Sequence, residues 1–205
     1  MPIRAVLFDY GGVLAEEGFR EGLKAIARQN GIDSAVLHRL AVEAIYESGY
    51  VTGRGTEVEF WDMMRWRSGV RGSNSELTGE ILQRFVLRPK MIEVARTLRR
   101  DNFVTGILSD QTNWLDILNE RDHFFQEFDR VFNSYYLGKG KKDLTIFDDV
   151  IRTLGVSPPE TLFVDDHPGN IERASHRGLK TILYRDQDPF LIELEQILGR
   201  CAIPD

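Results

Sequence analysis

Five short apolar segments constrain the fold of this chain more than any other feature of its sequence. They span residues 5–8, 104–108, 130–135, 162–164 and 181–184, and they are rich in Val, Ile, Leu and Phe. Short segments without polar alternation are typical of strands that are buried on both faces, as in a parallel sheet covered by helices. The sequence therefore predicts a parallel sheet built from these segments.

Apolar stripes at helical spacing lie between these strands. One stripe precedes the second segment and consists of Met91, Val94, Ala95 and Leu98. Another follows the third segment and consists of Phe147, Val150, Ile151 and Leu154, before a glycine that favours the end of a helix. This alternation predicts an α/β fold with a doubly wound, Rossmann-like parallel sheet and right-handed crossovers.

One interval is too long for a single crossover helix. Residues 9–103 separate the first strand from the second, and most of them show helical patterns. We therefore predict an inserted α-helical subdomain at residues 15–87. The Rossmann-like core is then formed by residues 1–14 and 88–205.

Three amphipathic helices are expected within this insertion. Their apolar residues are Phe19, Leu23, Ile26 and Ala27 in the first, Val36, Leu37, Leu40, Ala44 and Ile45 in the second, and Val58, Phe60, Trp61, Met63 and Met64 in the third. Asp33 or Ser34 is the expected N-cap of the second helix. Residues 71–75 are expected to form a polar connection.

Charge and cysteine content restrict the partners of the chain. With 26 basic and 32 acidic residues the net charge is −6, which gives no general attraction to nucleic acid or to anionic lipid. The single cysteine, Cys201, cannot form an internal disulfide, and no apolar segment approaches the length of a membrane span. We expect a cytoplasmic protein without nucleic-acid or membrane partners, and the oligomeric state stays open.

Polar residues follow three of the predicted strands. Asp9 follows the first strand, Ser109 and Asp110 the second, and Asp165 and Asp166 the fourth. Ligands of open α/β sheets bind outside the carboxyl ends of the strands, so these side chains are expected to share a crevice. Clustered carboxylates are costly without a cation, and oxygen ligands without nearby Cys or paired His favour Mg²⁺ over zinc.

A basic, glycine-containing loop follows the third strand. Residues 138–143 read Gly-Lys-Gly-Lys-Lys-Asp and bring ammonium groups to the same rim. A cation, a lysine and a hydroxyl around a carboxylate are the groups that phosphoryl transfer needs. The cation and the lysine neutralise the phosphate, so that an anionic carboxylate can approach it.

Four motifs in this order resemble those of the haloacid dehalogenase superfamily of aspartate-nucleophile hydrolases. They are Asp-Tyr-Gly-Gly-Val-Leu at 9–14, Ile-Leu-Ser-Asp at 107–110, the basic loop at 138–143 with Ile146 and Phe147, and Phe-Val-Asp-Asp-His-Pro-Gly-Asn-Ile at 163–171. The resemblance runs from Ile3 to about Asp186 and implies a phosphatase-like member. It also implies a helical cap, inserted after the first motif, that closes over the site and selects the substrate.

The resemblance also implies roles for individual residues. Asp9 matches the nucleophile that becomes a transient aspartyl-phosphate, and Lys141 matches the lysine that offsets negative charge. The implied phosphate-binding residues are Ser109, Asp110 and Lys141. The implied Mg²⁺ ligands are Asp9, the backbone carbonyl of Gly11, Asp166, and Asp165 either directly or through water.

Two positions depart from the family pattern. Phosphatases of the family usually have a second aspartate two residues after the nucleophile, which serves as general acid and base, and here that residue is Gly11. The missing proton transfer is commonly worth ~10² to 10⁴ in rate. A better leaving group, or a substitute acid such as Glu16, Glu17 or Asp110, would compensate. Lys142 stands where proline usually follows the lysine, which leaves the choice among Lys139, Lys141 and Lys142 open.

The leading prediction is a hydrolase, a Mg²⁺-dependent phosphatase of a small phosphorylated metabolite. The alternatives are a haloacid dehalogenase-type hydrolase, against which the paired acids argue, and a non-catalytic relative that binds a phosphorylated ligand or a protein, which Gly11 favours. For His167 a hydrogen-bonding loop role is expected, and Asp110 is a candidate cap of the helix that carries Trp114. Trp61 and Trp66 are expected in the core of the insertion.

Overall fold

A computed structural model describes residues 1–199 of the chain. Within these residues, five parallel strands form one sheet in the order β3-β2-β1-β4-β5. Their bounds are β1 Ala5–Phe8, β2 Val104–Ser109, β3 Arg130–Asn133, β4 Thr161–Asp165 and β5 Lys180–Leu183. The predicted α/β fold is confirmed. Cys201 lies outside the described residues.

Helices connect the strands and cover the sheet. Between β1 and β2 lie α1 Gly18–Asn30, α2 Ser34–Glu47, α3 Glu57–Ser68, α4 Asn74–Leu82 and α5 Pro89–Arg100. The later helices are α6 Trp114–Asp122, α7 Ser134–Leu137, α8 Thr145–Leu154, α9 Pro168–His176 and α10 Gln187–Leu198. Within residues 1–199, no helix combines the length and the apolar content that a bilayer crossing requires.

The third strand is shorter than its apolar segment suggests. It ends at Asn133, and residues 134–135 belong to α7 instead of the strand. The side chain of Asn133 accepts a hydrogen bond from the backbone N–H of Tyr135 and so starts the helix. The prediction of a strand through residue 135 is therefore wrong, because a polar cap outweighs the β propensity of the tyrosines that follow.

The inserted helices α1 to α4 include one that the sequence analysis missed. α4 begins inside the segment that was expected to be a polar connection, at a capping box in which Ser73 and Glu76 bond each other's backbone N–H groups. The predicted cap of α2 is confirmed, since Asp33 accepts from the N–H of Val36 at 2.9 Å. Val36 and Val58 were assigned to apolar faces but are 42% and 55% exposed.

Direct contacts join the insertion to loops at the carboxyl edge of the sheet. The hydroxyl of Tyr50 donates to Asn113 at 2.6 Å, and the hydroxyl of Ser134 donates to the carbonyl of Val51 at 2.7 Å. In the reverse sense, the indole N–H of Trp114 donates to a carboxylate of α3. The insertion therefore lies above the end of the sheet where the predicted site residues are found. Its exact boundaries stay a prediction.

Tyr10 carries a buried hydroxyl that makes no hydrogen bond within residues 1–199. Its ring stacks on Phe124, with centroids 4.8 Å apart, so the ring is held in place without the hydroxyl. Because a buried donor without a partner costs about 1–3 kcal/mol, we expect Tyr10→Phe to raise the free energy of unfolding by about 1 kcal/mol. Urea denaturation measures this change. Tyr50→Phe is the matched control and should be destabilising, because its hydroxyl is bonded; an equal loss in both variants would contradict the prediction.

Candidate active site

The carboxyl end of β1 fixes the orientation of Asp9. Its backbone N–H donates to the carbonyl of Val164 at 2.8 Å and continues the pairing of β1 with β4. Oδ1 of Asp9 accepts from the N–H of Tyr10 at 2.7 Å. Oδ2 is therefore the carboxylate oxygen available to the loop that follows α7, where Lys141 lies.

The ammonium of Lys141 lies between two carboxylates. Its Nζ is 2.7 Å from Oδ2 of Asp9 and 2.7 Å from Oδ2 of Asp165. The residue is only 1% exposed, so these contacts are little screened by water. Its backbone is also anchored: the N–H donates to Asp110 at 2.8 Å, and the carbonyl accepts from Arg173 at 2.9 Å. Lys141 is thus held in place from both its backbone and its side chain.

The other two lysines of the basic loop have different partners. Lys139 forms an ion pair with Asp149 and donates to Thr145. The exposed ammonium of Lys142 lies 3.7 Å from the centroid of the Tyr46 ring. Of the three candidates, Lys141 is the one that contacts Asp9, while Lys142 lines the cavity nearby.

Burial and charge perturb the titration of this pair. For Asp9, burial and the neighbouring Asp165 and Asp166 outweigh the attraction of Lys141 and raise the pKa to about 8. For Lys141, burial alone would lower the pKa, but Asp165, Asp9 and Asp110 outweigh it and raise the pKa above its ordinary value. The ammonium of Lys141 therefore stays charged. Without a further cation, this one ammonium does not neutralise the negative charge of Asp165 and Asp166 around Asp9.

Asp9, Asp165 and Asp166 form a cluster that suits a hard cation. Each offers a carboxylate oxygen, and these oxygens lie within 4.8 Å of one another. Three carboxylates face the single ammonium of Lys141, so the cluster has the surplus charge that a divalent cation neutralises. An all-oxygen donor set is the chemistry that Mg²⁺ prefers, so these residues fit that ion.

Asp165 and Asp166 nevertheless differ in their surroundings. Oδ1 of Asp165 accepts from the N–H of His167 at 2.8 Å, and its Oδ2 accepts from Lys141. Asn170 donates to both oxygens, at 3.1 and 3.0 Å. Asp165 thus already orients Lys141. Asp166 is half-buried and lines the cavity, and burial together with Asp165 raises its pKa.

Gly12 makes room for Asp166. Its φ of +81° is a left-handed conformation that favours glycine. A Cβ on residue 12 would lie 2.2 Å from Oδ2 of Asp166, closer than any real contact. The carbonyl of Gly12 also accepts from Arg88 at 2.6 Å. The second glycine of the pair therefore leaves the space that the Asp166 carboxylate occupies.

A cavity of about 440 Å³ opens above these groups. The site residues that the sequence predicted and that line it are Asp9, Gly11, Ser109, Asp110, Lys141 and Asp166. Asp165 is buried beneath them. The apolar part of the wall is contributed mainly by the inserted helices and consists of Phe19, Val42, Ile45, Val51 and Phe85. A ligand here would place a charged group on the carboxylates and an organic group against the insertion.

Asp110 has a different local role from the helix cap that was considered. Its carboxylate accepts from the N–H of Lys141 and from the hydroxyl of Tyr46, at 2.9 Å for the latter. The N-cap position of α6 is Asn113, whose side chain makes no capping bond, so the cap interpretation of Asp110 is wrong. Asp110 instead fixes the loop that carries Lys141.

Other sequence predictions near the site have mixed outcomes. His167 accepts a hydrogen bond from the N–H of Gly169 and caps α9, which confirms a hydrogen-bonding role. Trp61 is fully buried, but Trp66 is 83% exposed, so the assignment of Trp66 to the core is wrong.

No role was predicted for Arg173, which lies three residues after Asn170 on the same face of α9. That i, i+3 spacing after the paired acids is the signal that could have revealed it.

Comparison with known proteins gives one family. A profile of haloacid dehalogenase-like hydrolases matches residues 3–175. Mouse bifunctional epoxide hydrolase 2 is 32% identical over 221 residues, which cover 97% of this chain and 39% of that protein. D-ribitol-5-phosphate phosphatase from Bacteroides thetaiotaomicron is 39% identical over 71 residues, covering 35% of this chain and 34% of that enzyme. The matched segments thus cover less than half the length of each of these relatives.

A solved structure shares the fold over nearly the whole chain. It is a haloacid dehalogenase family enzyme from Bacteroides thetaiotaomicron in complex with magnesium and inorganic phosphate. The TM-score is 0.67 at 23% sequence identity, and the match covers 92% of this chain and 98% of that one. At this identity the likeness establishes the architecture, and the chemistry must be argued from the residues themselves.

Proposed function

This chain belongs to the haloacid dehalogenase-like hydrolase family, and on that premise we propose that it is a Mg²⁺-dependent phosphatase of small phosphorylated metabolites, acting through an aspartyl-phosphate on Asp9. The observation that carries the proposal is the contact of Asp9 with the buried ammonium of Lys141, beside two further carboxylates whose oxygens lie within 4.8 Å of that of Asp9. This arrangement combines a nucleophile with the positive charge that a phosphate ester requires.

In the first step, an oxygen of Asp9 attacks phosphorus, and the bond from phosphorus to the leaving oxygen breaks. Lys141 stabilises the negative charge on the attacking carboxylate and on the phosphoryl oxygens. Ser109, which is buried at the end of β2 and lines the cavity, is placed to donate its hydroxyl to a phosphoryl oxygen. Bound Mg²⁺, held by Asp9, Asp166 and the carbonyl of Gly11, would supply Lewis-acid neutralisation of the phosphate.

In the second step, water attacks the aspartyl-phosphate and releases inorganic phosphate, which restores Asp9. Asp165 takes no direct part and instead keeps Lys141 in position, since it accepts from that ammonium. The cavity volume of about 440 Å³ and its apolar wall favour a small organic monoester over a polymer. The name of the Bacteroides phosphatase and the phosphate bound in the Bacteroides structure support the same class of substrate.

Removal of divalent metal is the direct test of this proposal. We expect hydrolysis of 4-nitrophenyl phosphate to fall to background in excess chelator and to return on addition of Mg²⁺, because the acid cluster then regains its neutralising charge. Halide release from 2-chloropropionate is assayed in parallel. Chelator-resistant halide release would favour the dehalogenase. A folded, Mg²⁺-saturated protein that turns over neither compound would overturn the proposal in favour of a binding role.

A further inference from the structure

The proposed reaction leaves one chemical requirement that none of the residues given a role in its two steps meets. When the bond between phosphorus and an alkyl oxygen breaks, the electron pair stays on oxygen, and the alkoxide needs a proton. Residue 11 is a glycine and supplies none. A carboxyl group from elsewhere in the chain must then reach the space beside residue 11, if alkyl phosphates are to be hydrolysed efficiently.

Glu17 reaches that space from the start of α1. A Cβ on residue 11 would lie 3.9 Å from Oε1 of Glu17, so this oxygen borders the volume that a longer side chain at 11 would fill. Glu17 and Asp9 line the same cavity. The carboxylate is also held in position, since its Oε2 accepts the N–H of Arg20 at 2.8 Å. Oε1 is thereby aimed away from the helix and toward the site.

The two other candidate acids, Glu16 and Asp110, accept hydrogen bonds from other groups. Glu16 does not line the cavity; its side chain is 56% exposed and both oxygens accept from Arg88, at 2.9 and 3.0 Å. Asp110 does line the cavity, but its oxygens accept from the backbone of Lys141 and from Tyr46. A carboxylate that must hold the loop of Lys141 is poorly suited to exchange protons in each cycle.

We propose that Glu17 is the general acid and base of this site, in place of the residue that Gly11 lacks. The inference rests on the proposed phosphatase function. In the first step the Glu17 carboxyl gives its proton to the leaving alcohol as the phosphorus–oxygen bond breaks, which yields a neutral alcohol and a carboxylate. In the second step that carboxylate takes a proton from the attacking water, while the bond from phosphorus to Asp9 breaks. Free Asp9 and the protonated Glu17 are thus restored.

The surroundings of Glu17 are consistent with this role. Burial raises the pKa of its carboxyl, against the opposing effect of Arg20 and with a further contribution from Asp166. The protonated form is therefore more populated than for a glutamate in water, as a proton donor to an alkoxide requires.

The test compares leaving groups in Glu17→Gln. The amide keeps an oxygen that can accept the N–H of Arg20, so the start of α1 is preserved, but it cannot exchange a proton. We expect kcat/KM for an alkyl phosphate such as propyl phosphate to fall by ~10²-fold or more, and kcat/KM for 4-nitrophenyl phosphate to change by less than about threefold, since nitrophenolate leaves without a proton. Glu21→Gln, an exposed carboxyl one turn further along α1, is the matched control and should leave both values unchanged.

A second readout is independent of turnover rate. Because Glu17→Gln also lacks the base of the second step, phosphorylated Asp9 should accumulate with 4-nitrophenyl phosphate and be detected by intact mass after acid quench. Gly11→Asp in the Glu17→Gln background should recover part of the alkyl activity, provided that the ring of Phe85, 3.2 Å from a Cβ at residue 11, shifts slightly.

Three outcomes overturn the assignment while leaving the phosphatase proposal intact. They are an equal loss for both leaving groups, an unchanged alkyl activity, and the absence of accumulated phosphoenzyme. Inactivity of the unmodified protein toward 4-nitrophenyl phosphate would instead refute the proposed function itself. If Glu17→Gln does not fold, Glu17→Asp serves instead, and it should lose less alkyl activity than Glu17→Ala, whereas a purely structural role predicts equal ratios of alkyl to aryl activity in the two.

Discussion

Asp9→Asn is expected to abolish turnover of 4-nitrophenyl phosphate, with a loss of ~10⁴-fold or more, because an amide cannot attack phosphorus or form the covalent intermediate. The substitution changes little else in the site. The side-chain oxygen of Asn can still accept from the N–H of Tyr10, and Asp165 still pairs with Lys141. Steady-state release of nitrophenol, with Asp62→Asn on the exposed face of α3 as the control, measures the effect.

The same variant should be at least as stable as the unmodified protein in metal-free buffer. The pKa of Asp9 is raised from an ordinary 3.8 to about 8 in the folded state, so the folded protein holds a proton that the unfolded chain releases. The stability of the unmodified protein then decreases as the pH rises between these two values, and Asn removes this decrease. Urea denaturation at pH 5 and pH 8 tests the sign of this dependence.

For the activity experiment, turnover above background by folded Asp9→Asn would exclude Asp9 as the nucleophile.

Lys141→Met is expected to cost about 3–5 kcal/mol of stability in metal-free protein, as well as activity. The ammonium is buried and contacts two carboxylates at 2.7 Å, so its removal leaves Asp9 and Asp165 facing each other without compensation. Saturating Mg²⁺ should recover part of the loss, because on the proposed function it would bind the folded state near the same acids. Urea denaturation with chelator and with Mg²⁺ measures both effects.

Lys142→Met is the matched control for this experiment. That side chain is exposed and its ammonium lies over the face of Tyr46, so its loss should change stability by less than about 1 kcal/mol. Adding Asp165→Asn to Lys141→Met should recover stability but no activity, since it removes a buried charge and restores no ammonium. If Lys141→Met alone is as stable as the unmodified protein, Lys141 does not neutralise these carboxylates.

Local patterns allowed the sheet to be predicted, and they fail where a polar side chain competes. The run from Arg130 looks like one strand in sequence, yet Asn133 caps the next helix and ends it early. α4 was missed because its polar first turn resembles a loop, although Ser73 and Glu76 carry the spacing of a capping box. In both cases the decisive interaction joins residues two or three positions apart, so its signal is local and present in the sequence.

Of the site residues, only those next to the ends of strands could be predicted from the sequence. Asp9 and Asp166 are fixed by their position after β1 and β4, which the apolar segments reveal. The choice of Lys141 over its neighbours depends on which ammonium reaches Asp9, and this distance spans parts of the chain far apart in sequence. The position of Glu17 beside Gly11 likewise depends on how α1 packs against the first loop. Such relations are properties of the fold and have no local signature.

Gly11 and Gly12, the two adjacent glycines of the first loop, differ in whether a side chain can be accommodated in their place. At residue 11 a side chain would meet only the edge of Phe85 and the carboxyl of Glu17, at 3.2 and 3.9 Å. At residue 12 even a methyl group would overlap Asp166. Directed evolution that randomises residue 11 therefore explores alternative proton donors and leaves the proposed nucleophile, Asp9, intact. A side chain at residue 12 would instead displace the carboxylate of Asp166 and disrupt the acid cluster. A change in reaction specificity can therefore arise by substitution at residue 11 but not at residue 12.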